Sequence, residues 1–187
     1  MRNRPRITLT GRTLKALAAC ADNAGAHTRW PALSTIHKRG RRFEASDGIV
    51  LAQVWADGSV DDPNERFYDA KAARAIPAGH EVRVRPADGS LVGKGRHLEA
   101  SEVSDCAAGI YPDTDSTVLA YGPHEHEYTA YVDLRQLAKL ARVLEAAVDD
   151  YAVGAAARIR FYGHGKPIRI DALGGRVRAM VMSLTGE

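Results

Sequence analysis

Four consecutive residues, His124-Glu125-His126-Glu127, hold the densest metal-binding chemistry in the chain. On an extended strand His124 and His126 share a face, and two imidazoles at that spacing can hold a transition metal. His164, His37 or His97 could supply a third ligand. The same run also reads as an exposed polar linker. No HExxH, no CxxC and no further acidic cluster of fixed spacing accompanies it. A small metal-binding protein using His124 and His126 is therefore the last of the readings carried forward. Nucleophilic catalysis finds no support, because no Gly-x-Ser-x-Gly elbow is present. Gly163-His164-Gly165-Lys166 lacks the Walker spacing and reads as a hairpin tip, and Gly174-Gly175 falls between strands. The expectation is a non-enzyme with no catalytic residue, no cofactor and no metal.

The remaining chemistry is cationic. Arg12 and Lys15 are three apart, Lys71 and Arg74 are three apart, and Arg135, Lys139 and Arg142 follow at i, i+4 and i+7. Residues three or four apart share a helix face. Two of these sets lie opposite apolar stripes: Leu14, Leu17, Ala18 and Ala21 in one, and Leu134, Leu137, Ala141, Leu144 and Val148 in the other. A single cationic strip is ordinarily a solvated face. Three in the same position of three similar units, set side by side, would make a continuous positive surface. That suits a phosphate backbone held without sequence preference. The Asn, Gln and Arg clustering of a groove-reading helix is missing, as is the aromatic interleaving of a single-strand binder. Contact of this kind would be weak, salt-sensitive and permissive of sliding.

The elements that must position these cations recur three times as strand, helix, then more strands. Helices are expected over Gly11–Asn23, Ala70–Ile76 and Leu134–Ala147, each after a β-like run: Arg6–Thr10, Arg66–Tyr68 and Tyr128–Val132. Thr10 is the expected N-cap of the first helix and Gly25 its stop. Asp133 with Gln136 opens the third in capping-box fashion. Strands follow the first helix over Leu33–Lys38, Arg42–Ser46 and Ile49–Trp55, with turns at Gly40 and Asp47-Gly48. After the second come Glu81–Arg85, Ser90–Gly93 and His97–Ser101, with a turn at Asp88-Gly89. After the third come Arg158–Tyr162, Ile168–Ala172 and Val177–Leu184. Val103–Glu127 reads as a linker with a possible extra strand over Ser116–Tyr121. The expected fold class is α+β, with repeated β-α-β-β-β units and antiparallel sheets backing helices.

Bulk properties fit a packed domain. The 187 residues are 45% hydrophobic and 26% charged, with a net charge of +3, too small to argue nucleic-acid binding by itself. The two cysteines, Cys20 and Cys106, cannot build a disulfide framework, and Cys20 reads as a small buried thiol. No run approaches the roughly 18 apolar residues of a membrane span. The basic N-terminus is not followed by an apolar h-region. A cytoplasmic protein from a bacterium or virus, in a reducing compartment, is expected, with no membrane partner.

Several segments in order resemble one family. Thr28-Arg29-Trp30-Pro31-Ala32-Leu33 followed by Phe43-Glu44-Ala45-Ser46-Asp47-Gly48 is similar to the first domain of the bacterial DNA polymerase sliding clamp, the DNA polymerase III beta subunit. Ile76-Pro77-Ala78-Gly79-His80-Glu81-Val82-Arg83-Val84 resembles the stretch closing that domain's second helix. Ala108-Gly109-Ile110-Tyr111-Pro112-Asp113 resembles its exit loop. Lys166-Pro167-Ile168-Arg169-Ile170 and Ala179-Met180-Val181-Met182-Ser183-Leu184 are similar to the family's C-terminal strands.

The resemblance implies a DNA-clamp-like fold and a processivity factor that encircles duplex DNA and tethers a polymerase, with a clamp loader as a further partner. It puts Arg12, Lys15, Lys71, Arg74, Arg135, Lys139 and Arg142 toward DNA, with Arg29 beside the duplex. It matches Met180, Met182 and Leu184 to the strand lining a pocket for short partner peptides, which in the family also uses the middle domain. The family protomer has six units and this chain three, a shortened form that could be phage-encoded. Residues 1–122 would be a two-unit clamp-like domain and 123–187 a half-domain that pairs with another chain. Twelve units per ring would then close as a homo-tetramer. The competing reading is a clamp-like interaction protein, a decoy or inhibitor that binds a host clamp or polymerase.

Overall fold

The computed structural model describes residues 7–22, 31–58, 64–93, 95–101, 111–119, 132–148, 157–162, 165–172 and 175–183. The first unit is β1 (Thr8–Thr10), α1 (Gly11–Cys20), a 3-10 turn (Pro31–Ser34), β2 (Thr35–Arg39), β3 (Arg42–Ser46) and β4 (Val50–Trp55). The second is β5 (Arg66–Asp69), α2 (Ala70–Ala73), β6 (Glu81–Val84), β7 (Leu91–Gly93) and β8 (Arg96–Leu98). Then come α3 (Thr114–Leu119), α4 (Leu134–Val148), β9 (Ala157–Phe161), β10 (Ile168–Ala172) and β11 (Val177–Val181). The expected α+β class with antiparallel sheets is what the chain adopts.

Two sheets form, one in the order β1-β6-β7-β8 and one in the order β5-β2-β3-β4-β11-β10-β9. The first two units exchange their opening strands: β1 lies on β6 and β5 lies on β2. Bridges from Thr8 to Asp57 and from Phe67 to Ser101 link the two sheets. The third set of strands joins the first unit through β11 on β4. α1 packs against both α2 and α4, so the three helices make one row with α1 in the middle. The main core lies between this row and the sheets. A cross-strand row of Ala45, Ala52, Ala179 and Ile170, all buried, faces it.

Local chemistry explains the helix limits. Thr10 caps α1, its hydroxyl accepting from the Thr13 amide at 3.1 Å. Leu14, Leu17 and Ala18 are fully buried beneath it. The helix ends at Cys20 rather than Asn23, because the Asp22 amide donates to Leu33 O at 2.8 Å instead of continuing the ladder. Gly25 lies outside the described residues. α2 is shorter than expected: Ala75 and Ile76 donate to the carbonyls three residues back, tightening the chain before Pro77. Cys20 is buried, and burial, with the nearby Asp47 charge, pushes its thiol up to about 12.

Two expectations change. Within the segment Ser116–Tyr121 expected as a strand, the described residues 116–119 belong to helix α3, Thr114–Leu119. Asp113 starts it, its Oδ1 accepting from the amides of Asp115 and Ser116 at 3.1 and 3.2 Å. Asp133 does open α4, but its carboxylate takes the Arg135 amide at 2.8 Å, and the Gln136 side chain does not complete a capping box. The strand expected over Tyr128–Val132 lies outside the described residues except for Val132.

One glycine has no substitute. A Cβ on Gly11 would fall 2.1 Å from the Pro77 carbonyl oxygen, where the Gly11 and Arg12 amides donate to His80 O and Ala78 O. Gly11→Ala should cost about 2 kcal/mol by forcing this backbone contact apart. Urea denaturation measures it, and an unchanged midpoint would refute the close approach.

Candidate functional site

Two surfaces collect the residues singled out from sequence. The first is the helix row. Arg12 and Lys71 are exposed and Lys15 half-buried. Arg74 caps α2 rather than extending it, and its Nη2 donates to Ala18 O at 3.0 Å, stitching α2 to α1. Arg135 grips Asp133 through Nε and Nη2 at 3.2 and 2.9 Å, which holds that carboxyl below its ordinary range. Lys139 Nζ sits 2.5 Å from Asp47 Oδ2, joining α4 to the β3–β4 turn. The same Asp47 accepts the Ile49 and Val50 amides on its other oxygen. Arg142 is exposed. Lys15, Lys71 and Arg142 make no ion pair among the described residues. Arg29 lies outside those residues.

The second surface is on the opposite side of the seven-stranded sheet. Alternation along β11 points Val177, Ala179 and Val181 inward and Arg178 and Met180 outward. Met180 stands directly across from Leu51 of β4, and the two pack together. They floor an apolar pocket of about 390 Å³ whose walls are Leu33, Ile49, Pro112 and Met182. Ile49 and Met182 form its exposed rim, 44% and 41% accessible. The Met182 amide donates to Ile49 O at 3.0 Å, which fixes one rim residue against the other. Met180 and Met182 both line this pocket, while Leu184 lies outside the described residues.

The other wall comes from the first unit and the loop before α3. Its residues were not singled out from sequence. The signal available was phase: Leu51 and Met180 are apolar residues on the outward face of their strands, and Ile49 is an apolar residue directly after a turn.

A buried polar cluster beside the pocket holds the α3 wall in place. His37, Glu44 and Gln53 lie in one cross-strand row on the outer face. Glu44, 1% exposed, accepts from His37 Nδ1 at 2.8 Å, Gln53 Nε2 at 2.8 Å and Thr114 Oγ1 at 2.7 Å. Arg42 Nε is 3.2 Å from the same carboxylate, and its Nη1 bonds to Asp115. The His37 ring stacks on Phe67 at 4.7 Å and leans on Tyr111 at 4.5 Å. Burial and the Glu44 charge push the Tyr111 phenol well above its ordinary value. His37 Nδ1 is thus engaged by Glu44, and its Nε2 lies 3.6 Å from Glu65 Oε2. His97 lies on β8 with its side chain exposed. Among the described residues no three His, Cys, Asp or Glu side chains converge on a metal position. His124, His126 and His164 lie outside them. No helix of the described residues is long and apolar enough to cross a membrane.

No family model and no curated protein sequence matches the chain. Solved structures do. The beta sliding clamp of Caulobacter crescentus is similar over 98% of this chain, with a TM-score of 0.57 and 14% identity. The DNA polymerase III beta subunit of Thermotoga maritima gives 0.55 and 10% over 98%. The DNA polymerase III subunit beta sliding clamp of Bartonella birtlesii gives 0.54 and 13% over 98%. The chain spans 65%, 65% and 66% of those three proteins. At this identity the likeness establishes a sliding-clamp-like fold.

The buried carboxylate supports a specific expectation. Glu44→Ala strands Arg42, His37, Gln53 and Thr114, so it should destabilise the fold by about 3 kcal/mol or more. Thermal and urea unfolding measure this. A loss no larger than that of an exposed variant such as Glu81→Ala would show that the cluster does not hold the pocket wall.

Proposed function

We propose that this chain is a non-enzymatic, sliding-clamp-like processivity factor that encircles duplex DNA and tethers a polymerase. The observation carrying this reading is a single row of helices backed by a continuous antiparallel sheet, in a fold shared with solved clamps over nearly the whole chain. The helix row is the lumen wall, and Arg12, Lys15, Lys71 and Arg142 are its main phosphate contacts. A ring needs only such weak contacts, because topology retains the DNA. The apolar pocket at Met180 and Met182 takes a short peptide from the polymerase, and a clamp loader is a further partner. Such a protein works in the cytoplasm.

Residues 1–122 act as the two-unit domain and 123–187 as the half-domain where copies meet. Supporting that division, β9 is the end of its sheet among the described residues, with Ile159 and Phe161 about half exposed. Leu134 and Leu137 of α4 are also exposed. An open, apolar sheet edge is a liability unless another chain covers it. Homo-oligomeric closure into a four-copy ring satisfies it.

One observation favours the alternative, a clamp-like protein that binds a host clamp or polymerase without holding DNA. Arg74, Arg135 and Lys139 are engaged within the chain, which leaves fewer cations for a lumen.

Two measurements separate these readings. Native mass at micromolar concentration should be about four times that of one chain, by the unit count of a closed ring. A strict monomer, with and without DNA, removes the ring. Lys15→Glu, Lys71→Glu and Arg142→Glu together should weaken association with DNA and flatten its log–log salt slope by about 3, while a closed ring stays linked to circular DNA by topology. A salt slope unaltered by that triple variant would sink the lumen assignment.

A further inference from the structure

The outer face of β9–β11 is dominated by arginine. Alternation places Arg158 and Arg160 of β9, Arg169 and Asp171 of β10, and Arg178 and Met180 of β11 on that side. Four guanidiniums and one carboxylate therefore lie on this side. Asp171 takes Arg169 Nη2 at 2.9 Å and Arg160 Nη1 at 3.4 Å. Arg178 lies 4.9 Å over the Trp55 ring. Arg158, at the open edge, is exposed, and the Arg160 side chain is 37% accessible.

This basic face runs straight into the apolar pocket. Met180, part of the pocket floor, is directly across from Arg169, and Arg169 is across from Arg160. Strands lie about 4.8 Å apart, so the Arg160 backbone is about 10 Å from that of Met180. Three residues of extended peptide cover that span. A segment anchored by apolar side chains between Leu51 and Met182 would have its next residues over the arginines.

Resting on the reading of the pocket as a peptide site, we propose that its occupant is a short peptide whose apolar anchors are flanked by acidic residues, which pair with Arg160 and Arg158. Guanidinium forks match carboxylates in planar, two-bonded geometry, and surplus positive charge beside the pocket selects for them. A nucleic acid fits this face less well. The ring nearest the arginines, Trp55, already carries Arg178 over it, so bases would lack a stacking platform. The pocket itself is mostly apolar and its lining residues carry no positive charge to hold a phosphate.

The test uses the full chain and fluorescein-labelled peptides with a central Leu-Leu pair, flanked on either side by Asp-Glu-Asp or by Ser-Gln-Ser. Fluorescence polarisation at low and high salt reads the affinities. The acidic peptide should bind about tenfold tighter than the neutral one at low salt, the sum of two partly exposed ion pairs. That advantage should vanish at high salt and in the Arg158→Glu/Arg160→Glu variant, while the neutral peptide binds the variant unchanged. If acidic and neutral peptides bind equally at low salt, the acidic preference falls and the pocket reading stands. If neither peptide binds, the pocket reading falls and takes this inference with it. If instead a labelled oligonucleotide binds and is lost in the variant while the peptides are not discriminated, the arginine face belongs to nucleic acid and the proposal is overturned.

Discussion

Backbone pairing between β4 and β11, in register from Val50–Val181 to Val54–Val177, joins the last strands of the chain to the first unit. Without it, β4 would present unpaired amide and carbonyl groups, an aggregation-prone edge. With it, one sheet runs without interruption across seven strands. Its inner side gains Ala179, Ile170 and Val181 for the core, and α4 settles against α1. Its outer side gains Met180 next to Leu51, which is the pocket floor. Both surfaces with a proposed role are consequences of one strand pairing. The Lys139–Asp47 contact acts at the same joint, tying the helix of one unit to the hairpin of another.

The outer face needs different support from the inner one. Inside, apolar burial is enough. Outside, the α3 segment must be held on a polar strand row, and Glu44 does this by accepting from His37 of β2, Gln53 of β4 and Thr114 of α3. A buried carboxylate is tolerable only when so many donors surround it. The result is a wall at Pro112 and Thr114 facing a half-exposed rim of Ile49 and Met182, whose backbones one hydrogen bond ties together. Methionine's unbranched, polarizable side chain lets such a rim repack.

Much of the fold was legible because turn chemistry and alternation are local. The strands over Arg42–Ser46 and Ile168–Ala172 have the limits that pattern predicts, and Asp47-Gly48 and Asp88-Gly89 make their turns with positive φ at Gly48 and Gly89. α3 was misread because its polar sequence shows no apolar period. Its start signal, Asp113, was present but stood inside an irregular stretch. Met180 and Met182 could be picked out through a family resemblance. Leu33, Ile49 and Pro112 could not, because nothing local says that a hairpin rim and a loop will meet a strand so far along the chain.

The amino-acid sequence by itself determined the units: which segments are strands, where the hairpins turn, and that three helices carry cations at helical spacing. These depend on interactions within a few residues. Only the tertiary structure decided how the units meet and what each charge does there. Arg74 and Lys139 have the same spacing pattern as Lys71 and Arg142, yet these two are engaged by Ala18 and Asp47 from distant segments. Spacing sets the face on which a side chain lies. Whether a partner waits on that face depends on chain brought in from elsewhere, and that is decided by packing.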